Sequence, residues 1–112
     1  MRLQYSELEN GIRLIKLNGT LDIYGTGAIE MEFVRRCIGE GVRMVVDLSK
    51  VNYISSIGIP LLINSAKSVA RHGGKMVLLK PQRSVEDILE LTGIPLIIPM
   101  YESLDKALLA LK

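Results

Sequence analysis

Tryptophan is absent, phenylalanine occurs once, and aromatic residues make up 4% of the 112 positions. No clustered run of lysine and arginine appears either. Together these absences argue against a nucleic-acid surface, which needs stacking platforms or a basic stripe. A single cysteine, Cys37, excludes a disulfide framework within one chain. With one histidine, His72, there is no Cys/His set to ligate a metal, and no metal or cofactor is expected. The longest apolar stretches, Ile57–Ile63 and Ile94–Met100, fall well short of the ~20 residues that cross a bilayer. The opening Met1–Tyr5 turns polar at once and lacks the apolar core of an export signal. The expectation is a cytoplasmic protein without membrane insertion, and one unpaired cysteine fits a reducing compartment.

Apolar residues at 48% and charged residues at 23% describe an ordinary globular chain, too apolar to be mainly disordered. Area scaling at this mass gives roughly 6,100 Å² of folded surface, with about two-thirds of the unfolded surface buried. One domain, residues 1–112, follows. The net charge is +2, unevenly spread: Arg43 to Arg83 holds seven basic residues and one acid, and the remainder seven and eleven. That polarity suits either solvated faces or an acidic partner.

Periodicity gives the order of elements. Leu3 and Tyr5 alternate with polar residues, then Asn10-Gly11 precedes Ile12, Leu14 and Leu17, which reads as two antiparallel strands. Leu21-Asp22 enters a loop containing Gly25 and Gly27. Ile29, Phe33, Val34, Cys37 and Ile38 keep helical spacing over 28–38, with Cys37 packed in the core. Val42 to Leu48 is a nearly continuous apolar run, the mark of a central strand buried on both faces. Asp47 at its end is expected to bond nearby loop N–H groups. A long helix follows with stripe Ile59, Leu62, Ile63, Ala66, Val69 and Ala70, stopped by Gly73-Gly74. Pro60 must lie in its first turn, which puts the cap near Ser56 or Ile57. Lys75–Lys80 is a strand, Ser84 is expected to cap a short helix with Asp87, and Leu96–Ile98 is a last strand between Pro95 and Pro99. Ser103 opens a final helix. The order is ββαβαβαβα: an α/β fold with a mixed, mostly parallel five-stranded sheet and four helices.

The chemistry concentrates where the central strand meets the long helix. A helix start carries unpaired N–H groups and a positive dipole end, so a phosphate ester on a serine there is accommodated without unfolding. On spacing alone, Ser55 or Ser56 is equally a plain cap. Gly58 lets the turn pack closely or lets a partner approach the backbone. In the segment Ile57–Leu61, Ile57 is the member expected at the surface. Enzyme readings fail: a nucleophile elbow needs glycine two residues either side of the serine and Ser56 has Ile54 and Gly58, His72 lies roughly 24 Å along the helix from it, and Gly25-x-Gly27 lacks the rest of a phosphate loop.

Asp47-Leu48-Ser49 followed by Tyr53-Ile54-Ser55-Ser56-Ile57-Gly58-Ile59 resembles the signature of STAS domains, the bacterial anti-sigma factor antagonists and their relatives. Gly19-Thr20-Leu21-Asp22 is similar to the family's G-x-L-D, and the resemblance covers nearly the whole chain. It implies phosphorylation at Ser56, two residues before the glycine, with Ser55 as second choice. It implies partner contacts through Asp22, Ser55, Ser56, Ile57 and Gly58. The implied partners are an anti-sigma factor that is itself a serine kinase, and a metal-dependent serine phosphatase that restores the free hydroxyl. Binding the anti-sigma factor would release a sigma factor and so regulate transcription by partner switching. Two positions depart from the family pattern: Ser55 stands where the family has aspartate, and Ile57 where it has serine. The alternative is a constitutive adaptor, either a subunit of a membrane lipid transporter or a stressosome-like scaffold component. Weak homodimerisation is left open by the sequence.

Overall fold

The computed structural model describes Met1–Lys112. Five strands form one sheet in chain order: β1 (Arg2–Glu7), β2 (Arg13–Leu21), β3 (Arg43–Ile54), β4 (Lys75–Leu79) and β5 (Met100–Tyr101). β1 pairs antiparallel with β2, placing Leu3 against Leu17 and Tyr5 against Ile15, and the remaining three pairings are parallel. Four α-helices complete the chain: α1 (Ile23–Arg36), α2 (Gly58–Arg71), α3 (Arg83–Leu91) and α4 (Leu104–Ala110). The mixed α/β fold and the element order agree with the sequence reading. The exposed surface, 6295 Å², lies close to the scaling value.

Alternation within the strands divides the core into two layers. Ile15 and Leu17 of β2, Met44, Val46 and Leu48 of β3, and Met76 and Leu78 of β4 face one side, where Phe33 of α1, Leu62 of α2 and Leu89 of α3 meet them. Leu14, Val45, Val77 and Leu79 face the other side, under Ala107 of α4 and Leu111 beyond it. β3 is thus covered on both faces, as its continuous apolar run requires.

Several boundaries differ from the sequence reading, each for a physical reason. α1 starts at Ile23 rather than residue 28 and ends at Arg36, so Gly25 and Gly27 lie inside a helix and not in a loop. A methyl group at Gly25 would overlap the Thr20 carbonyl oxygen, so the glycine is there to let helix and strand touch. β3 continues past Leu48 to Ile54, because β2 is long enough to pair with it up to Leu21. Ser84 is not a cap: Gln82 holds that position without a side-chain bond, and its amide Nε2 instead donates to the Ser49 carbonyl at 3.0 Å. Ile94–Leu96 is a 3-10 turn, and the last strand lies beyond Pro99 at Met100–Tyr101. Ser103 does open α4, its hydroxyl accepting from the Lys106 N–H at 3.2 Å.

Candidate functional site

β2 and β3 are parallel neighbours that end side by side, Leu21 against Ile54. The chain leaves each strand and immediately turns into a helix. The two turns, Asp22–Thr26 and Ser55–Gly58, therefore share one edge of the molecule.

At the first turn Asp22 caps α1. Its Oδ1 accepts the Gly25 N–H at 2.7 Å, and its carbonyl accepts the Thr26 N–H at 2.9 Å. Asp22 is half-buried, so one carboxylate oxygen is occupied by the fold. The sequence placed Asp22 in a loop; the structure makes it the cap of α1, on the edge shared with the second turn.

At the second turn Ser55 does the structural work. Its backbone N–H and its hydroxyl both donate to the Leu21 carbonyl, at 2.9 and 3.0 Å, which ties the end of β3 to the end of β2. The same hydroxyl oxygen accepts the Ile57 N–H at 3.2 Å. The Ser55 carbonyl accepts from Gly58 and Ile59 at 3.0 and 3.3 Å. Gly58 packs so closely that a Cβ would stand 3.0 Å from Ile54 Cγ1 and 3.1 Å from the Leu21 carbonyl oxygen. The cap position is Ile57, with no side-chain bond, so neither serine is an N-cap in the ordinary sense.

These bonds correct one expectation. The first N–H groups of α2 are not waiting for an anion, because Ser55 already satisfies those of Ile57, Gly58 and Ile59. Ser56 takes no part in these bonds.

Ser56 itself is exposed, and its hydroxyl makes no hydrogen bond within the chain. Ile57 is 47% exposed, as expected of this segment's outward member. Ile23, Tyr24 and Tyr53 are exposed on the same two strand–helix junctions, Tyr24 by 84%. Large apolar side chains are thus exposed on both junctions, the one that carries Ser56 included. The sequence reading passed over Ile23 and Tyr24 because they fell in a presumed loop. The signal was there: two large apolar residues directly after Asp22, where a solvated loop favours small polar ones.

The other residues considered have structural roles. Asp47 Oδ1 accepts the Ser49 N–H at 2.9 Å, the local bond expected of it. Cys37 is buried, and burial pushes its thiol up to about 11, which leaves it protonated and inert. His72 pairs with Glu40 at 3.1 Å at the far end of α2. No helix is long and apolar enough to cross a membrane.

Known proteins share both the sequence pattern and the fold. A family model described as STAS domain matches residues 6–107. A Bordetella bronchiseptica protein, BtrV, named as a candidate anti-sigma factor antagonist, is 27% identical over 112 residues, covering 100% of this chain and 96% of that one. An anti-sigma F factor antagonist of Paenibacillus polymyxa is 26% identical over 116 residues, covering 100% and 97%. A solved anti-sigma-factor antagonist (STAS) domain protein of Planctomyces limnophilus superposes with a TM-score of 0.85 at 21% identity, over 97% of each chain.

Proposed function

We propose that this chain, which belongs to the STAS domain family, is an anti-sigma factor antagonist that switches on the phosphorylation state of Ser56. The observation that carries the reading is the division of labour between adjacent serines. Ser55 is consumed by Leu21 and Ile57, while Ser56 stands unbonded at the surface beside exposed Ile57. That favours Ser56 over Ser55 as the acceptor, because modifying Ser55 would first break the tie between β2 and β3.

The unmodified surface binds an anti-sigma factor, which thereby lets go of its sigma factor. The anti-sigma factor is also the kinase. The Ser56 oxygen takes the γ-phosphoryl group of ATP, ADP leaves, and the hydroxyl proton passes to a base on the kinase. The ester adds about −1.5 to −2 charges in the middle of an apolar contact. Burying that charge without a partner costs several kcal/mol, on the order of what holds such an interface together, so the complex separates. A metal-dependent phosphatase returns the hydroxyl. Asp22, Ser55, Ile57 and Gly58 shape the surface around it.

The test is to incubate the purified chain and ATP with the anti-sigma kinases of its own organism and to map added phosphate by mass spectrometry. Phosphate at Ser56, lost in Ser56→Ala, is the expected result. Ser56→Asp should fold normally and bind the kinase at least about tenfold more weakly. Unmodified Ser56 together with stable binding to a permease or its ATPase would replace the switch with the constitutive adaptor.

A further inference from the structure

From the geometry we infer that the anti-sigma factor also inserts an amphipathic helix into the groove between α1 and α2, which continues the Ser56 surface along the flank of the molecule. The inference rests on the anti-sigma reading above and adds a second contact to it.

α1 and α2 both link parallel strands of the sheet, so they run in the same direction, with their starts at the Ser56 edge. Between them lies an open groove of about 400 Å³. Thr26, Glu30 and Val34, each four residues apart, give α1 one wall. Ile57, Leu61 and Ser68 lie on the facing stripe from α2. This spacing keeps one face of each helix toward the groove for its full length. Ile57 to Ser68 spans roughly 16 Å at 1.5 Å per residue, three turns of a docked helix. An open trench of that length suits a helix better than a compact small molecule.

Two observations describe the occupant. Ile57 belongs both to the groove and to the surface around Ser56, so one partner can cover both without a gap. Glu30 is the one charged residue lining the groove, which calls for a lysine or arginine on the incoming helix. The partner segment is thus a helix with an apolar stripe and one basic residue, in contrast to the uniformly apolar face of a core helix.

The experiment uses the full chain and the purified anti-sigma kinase of the same organism, loaded with ADP for binding and ATP for turnover. Val34→Glu and Glu30→Lys lie on exposed positions of α1. Each should raise the Kd at least about tenfold and raise the KM for Ser56 phosphorylation, with kcat within about twofold of wild type. Leu91→Glu, on a fully separate helix and 87% exposed, should change neither. In the unmutated complex, amide exchange should slow along both 26–34 and 61–68. Wild-type affinity in both α1 variants, or exchange along those two segments unchanged by the kinase, would overturn the groove while leaving the Ser56 switch intact. An equal loss in Leu91→Glu would also overturn it, since the effect would then be one of charge alone. If the unmutated chain neither binds the kinase nor is phosphorylated, the anti-sigma reading falls and the groove with it.

Discussion

α1 and α2 begin in the same way and finish their first turns differently. Each follows a buried strand of the same parallel pair, and each packs a glycine against the strand ends. At α1, Asp22 uses its side chain to close the turn. At α2 the residue before the helix uses no side chain, because Ser55, two positions earlier, has already closed it with one hydroxyl that both donates and accepts. The consequence is a spare hydroxyl at Ser56. A side chain becomes available for regulation when a neighbour has taken over the structural bonds, and here that neighbour is chemically the same residue.

The contrast can be broken by substitution. The largest effect is expected at the α1 turn. Gly25→Ala pushes a methyl into the Thr20 carbonyl, a backbone group that cannot rotate away, and should cost about 3 kcal/mol or more in urea denaturation. Gly27→Ala, two residues on with open space around it, should be neutral or stabilising by roughly 0.5 kcal/mol. Equal costs at the two glycines would show that helix propensity, not strand contact, governs this turn. Next comes Ser55→Ala, which removes the bond to Leu21 and the acceptor for Ile57. A loss of about 1–2 kcal/mol is expected from thermal melts. Asp22→Ala should cost about 1 kcal/mol, the usual value of a cap. Smallest is Ser56→Ala, within about 0.5 kcal/mol of wild type by the same melts. A Ser56→Ala cost as large as that of Ser55→Ala would mean the two hydroxyls share the turn, and the separation argued above would be lost.

Much of this was legible in the residues. The apolar run of β3, the stripe of α2 and the cap of α4 at Ser103 follow from periodicity and capping chemistry, which act over a few neighbours. The outward position of Ile57 was also readable, since its neighbours Gly58 and Ile59 were needed inside. What failed to show were features set by distant chain. Gly25 reads as a loop residue until β2 is placed against it. Lys50, Asn52 and Tyr53 break the apolar run, yet they continue β3, because β2 offers a parallel edge up to Leu21. Ile98 is fully buried and strand-like in sequence, but the Leu78 N–H donates to the Pro99 carbonyl and the strand starts after it. The exposed pair Ile23 and Tyr24 was missed for the same reason as the α1 start.

The sequence alone determined the class of fold, the order of its elements and the strand–helix junction that matters, because hydrophobic spacing and helix-start chemistry are local. Which of two adjacent serines is free was decided only by tertiary structure. That choice depends on the Leu21 carbonyl, 34 residues away in the chain and 3.0 Å from the Ser55 hydroxyl once the two strands lie side by side.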